Sequence, residues 1–217
     1  MRTAIHQASL EFALALIDDC LALAKRCRTG KACKGTCIAP EKECRSGVAH
    51  MSAEARAKVH AVEARIRTLD HEEGHAFSHT GEVVATGVPL SPTKLEWSKD
   101  LVKLPGNVVT HNHPTDASFS AKDVEFASLT QLAEIRAVGP RFTFSLRPKA
   151  GDFTRALWLE HGTEIQVAEE QVRTLWRKAK VVHGAQSAKA AKVLQTQSHK
   201  LWLRLSKRLE LTYSRTQ

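Results

Sequence analysis

Two histidines, a serine and an aspartate fall within thirteen residues of this 217-residue chain. His111 and His113 belong to the stretch His-Asn-His-Pro, and Ser120 and Asp123 follow it. Imidazole nitrogens and carboxylate oxygens are common ligands of zinc in proteins. Two histidines and one carboxylate leave one tetrahedral position for water, which is typical of a catalytic zinc site. These residues therefore predict a metalloenzyme whose zinc ion is held by His111, His113 and Asp123.

A short strand is expected to position the two histidines. Residues 107–110 form a mostly apolar run that leads directly into His111. Side chains two residues apart on a strand point to the same side, so His111 and His113 face one point. Pro114 then ends the strand and turns the chain.

A helix is expected to supply the third ligand. Ser120 is a favourable N-cap for an Ala- and Leu-rich helix that runs to about Leu132, and Asp123 occupies the capping-box position. From the first helical turn, Asp123 can reach back towards the histidines. Ser120 lies beside it, where its hydroxyl can hydrogen-bond an oxyanion that develops during hydrolysis.

A hydrolytic site also needs a group that takes a proton from water. Glu72 and Glu73 are the acidic candidates upstream of the histidines. They precede a predicted β-hairpin of residues 75–78 and 82–86, joined by a turn at Thr80-Gly81. Neighbouring residues of a strand face opposite sides, so only one glutamate faces the metal, and the alternation alone does not choose between them.

A glutamate, then His-x-His-Pro, then Ser-x-x-Asp resembles the signature of the JAMM (MPN) metalloproteases. The similarity covers residues 70–147 and is nearest to the RadC-like branch, with a further likeness to phage- and toxin-associated domains. It implies a cytidine-deaminase-like three-layer core and a zinc-dependent hydrolase of peptide or isopeptide bonds. In that family the two histidines and the aspartate bind zinc, the glutamate transfers protons and the serine supports the oxyanion. The corresponding residues here are His111, His113, Asp123, Glu72 or Glu73, and Ser120.

One spacing differs from the family pattern. Six residues separate His113 from Ser120, where JAMM proteins usually have seven. The direction of the Ser120 hydroxyl is therefore left open. The distance from the glutamate to the hairpin turn slightly favours Glu72 over Glu73.

The predicted elements define an α+β protein with three regions. Residues 1–69 contain two helices around a Cys-rich loop, residues 70–150 form the JAMM-like core, and residues 151–217 form a basic helical region. The predicted elements outside the motif are helices over 1–26, 52–69, 164–182 and 187–211, a loop over 27–50, and strands over 135–138 and 142–146.

Five cysteines lie between positions 20 and 44, and none follows. An odd number without a secretory signal argues against a disulfide framework, and no Cys-x-x-Cys pair is present. Two interpretations remain, a second, structural zinc site or reduced cysteines in a loop. The five residues are Cys20, Cys27, Cys33, Cys37 and Cys44.

The net charge of +9 is concentrated near the C-terminus. Residues 171–217 contain 11 Lys or Arg residues and one acidic residue. Residues 61–170 contain 11 Lys or Arg residues and 16 acidic residues. A basic region of this kind indicates contact with nucleic acid or another acidic partner, and it is also compatible with a solvated helix face.

The remaining composition excludes several classes of protein. No apolar run is long enough to span a bilayer, and acidic residues interrupt the apolar stretch near the N-terminus. We therefore expect a cytoplasmic protein without membrane contact, acting on a protein or peptide substrate. The alternatives are a metal-dependent nuclease and a phage- or mobile-element-associated structural or DNA-contacting protein with a JAMM-like fold.

Overall fold

The computed structural model describes residues 31–33, 36–38, 47–91, 94–97 and 100–217, with only the backbone described for residues 31–33 and 36–38. Across these residues it shows four α-helices and a seven-stranded mixed sheet. The predicted α+β class is therefore confirmed. The predicted helix over residues 1–26 lies outside the described residues.

Nine strands and four α-helices make up the main regular structure of the described residues. In chain order they are β1 (Lys31–Cys33), β2 (Thr36–Ile38), α1 (Ala53–Ile66), β3 (Gly74–Phe77), β4 (Val83–Ser91), β5 (Lys94–Glu96), β6 (Val108–Asn112), α2 (Ala121–Leu129), β7 (Glu134–Val138), β8 (Thr143–Pro148), α3 (Arg155–His183), α4 (Ala188–Arg208) and β9 (Leu211–Thr216). None of these helices is both long and apolar enough to cross a membrane.

The segment predicted as a loop over residues 27–50 contains a small hairpin, in which β1 pairs antiparallel with β2. The backbones of Cys33 and Cys37 belong to this hairpin. Cys20, Cys27 and Cys44 lie outside the described residues. The predicted structural zinc site at the cysteines therefore falls outside what the structure describes.

The main sheet has the order β5-β4-β3-β6-β7-β8-β9. Its strands are antiparallel except β6 and β7, which run parallel at the centre and are connected through α2. Every residue of β6 and β7 is buried. The histidine motif thus begins on the central strand of the sheet, where its position is held from both sides.

Helices cover both faces of the sheet. Helix α1 packs against one face through Val59, which shares a cluster with Val108 of β6. Helices α2, α3 and α4 pack against the other face, where Val109 of β6 joins their core. Because strand side chains alternate, His111 lies on the same face as Val109, and Asn112 lies on the α1 face with Val108.

The C-terminal region shares the core of the sheet. Trp202 of α4 is 1% exposed, and its Nε1 donates a hydrogen bond to the Phe119 carbonyl at 2.7 Å. The predicted helix over 187–211 ends at Arg208, and β9 follows and pairs with β8. Glu210 has a φ of 53°, a left-handed conformation that stops the helix and lets the chain turn into the strand.

Several local predictions are confirmed. Strands β3 and β4 form the predicted hairpin, with Gly81 at a φ of 78° in its turn. Ser52 caps α1 through its side chain, and Gly184 separates α3 from α4. Helix α3 begins at Arg155, earlier than the predicted residue 164, because Thr154 supplies an N-cap that accepts from the Leu157 backbone.

Candidate metal centre

Three side chains converge at the end of β6. The Nε2 atoms of His111 and His113 lie 2.9 Å apart. Asp123 places Oδ1 3.3 Å from Nε2 of His111 and Oδ2 3.7 Å from Nε2 of His113. One ligand atom from each residue lies within 4.8 Å of the other two. Two imidazole nitrogens and a carboxylate therefore face one point, which is the donor set that zinc favours.

The capping box of α2 orients Asp123. Ser120 donates to Oδ2 of Asp123 from its backbone N–H at 2.7 Å and from its hydroxyl at 2.8 Å. The Asp123 N–H donates in turn to Ser120 Oγ at 3.3 Å. The single hydroxyl proton of Ser120 is thus directed at Asp123. The structure gives Ser120 a role in holding the carboxylate, while its expected contact with an oxyanion stays a prediction.

A backbone carbonyl selects the tautomer of His113. Nδ1 of His113 lies 3.0 Å from the Ala117 carbonyl and donates to it, so that Nε2 carries the free lone pair. Such bonds from the second ring nitrogen orient histidines that bind metals.

Burial and mutual charge set the protonation of the three groups. Burial lowers the pKa of His113, and the neighbouring His111 lowers it further. Burial opposes ionisation of Asp123, but the His111 charge holds the pKa of that carboxyl well below its usual range. Burial also acts to lower the pKa of His111, yet the Asp123 carboxylate raises it above its ordinary value. A carboxylate and a neutral His113 are the forms that coordinate metals.

The register of β3 separates the two candidate glutamates. Gly74 lies directly opposite His111 on the neighbouring strand, so the Gly74 position belongs to the same face of the sheet as the His111 side chain. Glu72, two residues earlier, shares that face, and it lines the same groove as the histidines. Burial raises the pKa of Glu72, the His111 charge opposes the rise, and Asp123 adds to it.

Glu73 points to the opposite face. Its carboxylate forms an ion pair with Arg65 of α1 and lies 2.6 Å from Nε2 of His75. The Arg65 partner holds the pKa of Glu73 below its ordinary value. The structure therefore brings Glu72 to the histidine and aspartate cluster, and it does not bring Glu73 there.

Asn112, between the two histidines, was not predicted as a site residue. Its side chain accepts from the Glu73 N–H at 2.7 Å and donates to the His71 carbonyl at 2.7 Å. It is 1% exposed. These bonds fasten the segment that carries Glu72 to the end of β6. The sequence signal for Asn112 was its type, because a polar amide at the end of a buried apolar strand needs hydrogen-bond partners.

Asp116 organises the loop between the histidines and the helix. Its buried carboxylate accepts from the backbone N–H groups of Arg141 and Phe142 at 3.1 and 3.2 Å, and from Nε of Arg141 at 2.8 Å. Asp116 itself has a φ of 58°. A Cβ at Gly139 would lie 2.1 Å from Asp116 Oδ1, so glycine is required there. The loop after His113 is therefore tied to the β7–β8 turn.

The cluster opens into a groove of about 1020 Å³. Trp97, just after β5, forms part of its wall and lies across two glycines of neighbouring strands. A Cβ would meet the indole at 2.8 Å from Gly74 and at 3.0 Å from Gly87. The indole also packs against Phe126 of α2, with ring centroids 5.6 Å apart. Trp97 thus holds the β5 end of the sheet against α2 beside the cluster.

Comparisons of the chain with models of protein families, with curated proteins and with solved structures find no match. The resemblance to JAMM metalloproteases is therefore carried by the motif residues alone. The functional interpretation depends on the geometry of His111, His113, Asp123 and Glu72.

Proposed function

We propose that the protein is a zinc-dependent hydrolase that cleaves a peptide or isopeptide bond. The observation that carries the proposal is the convergence of His111, His113 and Asp123 on one point that opens into a groove. Two imidazoles favour zinc over magnesium or calcium, which prefer oxygen ligands. When bound, zinc would lower the pKa of a coordinated water and polarise the substrate carbonyl.

Glu72 is the proposed proton carrier. It stands on the face of the sheet that holds the ligands, and its raised pKa brings it closer to neutral pH, where a group can both accept and return a proton. It would take a proton from the attacking water and deliver it to the leaving amine. Asn112 would keep Glu72 in reach by holding residues 71–73 against β6.

The groove supports a substrate larger than a metabolite. Its volume of about 1020 Å³ is at the upper end of the range for small-molecule sites. Apolar and aromatic side chains form much of its wall, among them Leu95, Trp97, Phe126 and Trp176. A stretch of polypeptide with an apolar side chain near the scissile bond would bury that side chain against Trp97.

Zinc content is the first test of the proposal. The protein should bind one zinc ion in the described part of the chain, and His111→Ala and Asp123→Ala should each lose it, as measured by elemental analysis. His183→Ala, which removes an exposed histidine at the end of α3, is the matched control and should retain the metal. Because the cysteines could bind a second zinc ion, the decisive quantity is the difference in zinc content between each variant and the parent protein. A folded parent protein with no zinc lost in either variant would refute the metal centre.

Hydrolysis tests the role of Glu72. Glu72→Gln should keep zinc and lower cleavage of a quenched fluorescent peptide library by about 10²–10⁴-fold, the usual contribution of a general base. Glu73→Gln is the matched control and should change the rate little, since Glu73 faces α1. The nuclease alternative predicts instead that plasmid DNA is cut in a Glu72-dependent manner while no peptide is cleaved. A zinc-binding protein that cleaves neither would support the structural alternative.

A further inference from the structure

Helix α4 contains basic side chains and no acidic ones. Residues 188–208 contain six Lys or Arg residues and no Asp or Glu. At about 100° per residue, five of the six fall within about one third of the helix circumference. All five are exposed. We refer to them as the basic row, and they are Lys189, Lys192, Lys200, Arg204 and Lys207.

The adjacent helix α3 shows how a solvated charged face differs from this row. Three basic residues in the C-terminal half of α3 are paired with acidic or aromatic side chains, and Arg208, the sixth cation of α4, pairs with Glu164 of α3. Within the described part of the chain, no ion pair joins a member of the basic row to an acidic residue. The α3 pairs are Arg173 with Glu169, Arg177 with Glu170, and Lys180 over the Trp176 ring.

The basic row is unfavourable for the helix on its own. Lys189 and Lys192 are three residues apart, Lys200 and Arg204 are four apart, and Lys207 follows three residues later. Like charges at these spacings destabilise a helix. Because no acidic residue in the described part of the chain forms an ion pair with the row, an external anion that binds along it would relieve this repulsion.

The opposite face of α4 limits what that anion can be. Leu201, Trp202 and Leu205 are buried in the protein core. The apolar side of the helix is therefore occupied and cannot insert into a lipid bilayer, as a membrane-bound amphipathic helix must. Leu203, at 44% exposure, is the only large apolar residue of α4 that is substantially exposed. The exposed face of α4 therefore lacks the apolar centre of a typical protein interface.

We propose that the basic row binds the phosphate backbone of a nucleic acid. From Lys189 to Lys207 the row extends about 27 Å at about 1.5 Å per residue, close to the length of eight base pairs of B-DNA. Four of its five members are lysines, which bind phosphates as point charges and carry little base specificity. The binding is thus independent of sequence, and it does not depend on the proposed hydrolase activity.

Binding of a labelled duplex tests the proposal. A fluorescein-labelled 20-base-pair DNA of arbitrary sequence should bind the full chain at 50 mM salt, with anisotropy as the readout. The affinity should fall with salt with a logarithmic slope of about −4.5 if all five cations contact phosphates. The double variant Lys189→Gln with Lys207→Gln should weaken binding and reduce the magnitude of the slope by about 2.

A matched control distinguishes an effect of the basic row on DNA binding from an effect of net charge. Lys58→Gln with Lys103→Gln removes the same charge from α1 and from the Leu101–Lys103 turn, and it should leave the slope unchanged. Equal weakening by both double variants would overturn the proposal, as would no DNA binding by the parent protein at 50 mM salt. Row-dependent binding to vesicles with phosphatidylserine, without binding to DNA, would also overturn it. Zinc content and circular dichroism confirm that each variant is folded and keeps its metal centre.

Discussion

Two polar clusters lie back to back on strands β6 and β7. On the α1 face, Arg136 lies between two glutamates, with Nε 2.6 Å from Glu63 Oε1 and Nη1 2.8 Å from Glu134 Oε1. On the other face lie the side chains of the candidate metal centre. Both clusters are largely buried and charged, but they differ in how completely the protein itself satisfies their polar atoms.

The cluster around Arg136 is closed. Glu134 also accepts from the Val48 N–H at 2.7 Å and from the Ser145 hydroxyl at 2.8 Å. Glu63 also accepts from the Thr110 hydroxyl at 3.1 Å. Burial opposes the charge of Glu63, but hydrogen bonds from His60 and Arg136 lower its pKa to about 2. Such a saturated cluster fixes α1 against the sheet and has little capacity left for a ligand.

The candidate metal centre is open by comparison. Its two Nε2 atoms lie 2.9 Å from each other and 3.3 and 3.7 Å from the Asp123 carboxylate oxygens, and the space beside them continues into the groove. A hydrogen bond from Nδ1 of His113 to the Ala117 carbonyl fixes the orientation of that ring. The comparison shows that burial and charge alone do not mark a functional site. The distinguishing feature is that two imidazole nitrogens and a carboxylate converge on one point beside a groove.

Arg136→Met should produce the largest effect, and it should be confined to stability. It leaves two buried carboxylates without their cation, a change that costs about 3–5 kcal/mol. Urea unfolding should measure this loss, while the zinc content of the folded fraction stays unchanged. Arg155→Met, which removes an arginine outside both clusters, should change the free energy of unfolding by less than about 0.5 kcal/mol. A loss of zinc without a loss of stability would show that the two clusters do not have separate roles.

Acid should weaken the closed cluster through Glu63. Its pKa is about 2 in the folded state against an ordinary value of 4.5. The folded state therefore gains stability from the ionised group above pH 4.5, and this gain is lost as the pH falls towards 2, amounting to about 3 kcal/mol. The free energy of unfolding between pH 6 and pH 2.5 should fall less steeply in Glu63→Gln than in the parent protein. Parallel curves for the two proteins would contradict this assignment.

Asn112→Ala should give the smallest of these effects and should act on the open cluster. Loss of the hydrogen bonds to residues 71 and 73 would let Glu72 move. We expect kcat to fall about 10–100-fold while zinc is retained, the usual effect of removing a residue that orients groups of a metal site. Asn107→Ala is the control, because Asn107 bonds the Lys103 carbonyl away from the site. A kcat unchanged by Asn112→Ala would show that Glu72 is held by other contacts.

Local sequence patterns predicted the parts of the site that are close together in the chain. The capping box of Ser120 and Asp123 and the shared direction of His111 and His113 follow from spacing alone. The choice between Glu72 and Glu73 required the pairing of Gly74 with His111, which are 37 positions apart and whose register no local pattern specifies.

Other features depended on contacts between distant segments. Arg136 and Glu134 occupy alternate positions of β7, but their partner Glu63 belongs to α1, so the charged strand could not be recognised as a closed cluster. Strand β9 was missed because Leu209 and Leu211 fit the apolar pattern of the preceding helix. Its pairing with β8 outweighs that local preference.

The contacts of the motif loop with α4 and β9 determine when the site is completed during synthesis. Ser118 bonds Ser198 through its N–H and Tyr213 through its hydroxyl, while the Phe119 carbonyl accepts from Trp202. Roughly 90 residues separate Asp123 from Tyr213, and ribosomes add about 5–20 residues per second. His111, His113 and Asp123 thus leave the ribosome roughly 5–20 s before the strand that supports them, so the candidate metal centre can be completed only after β9 has been made.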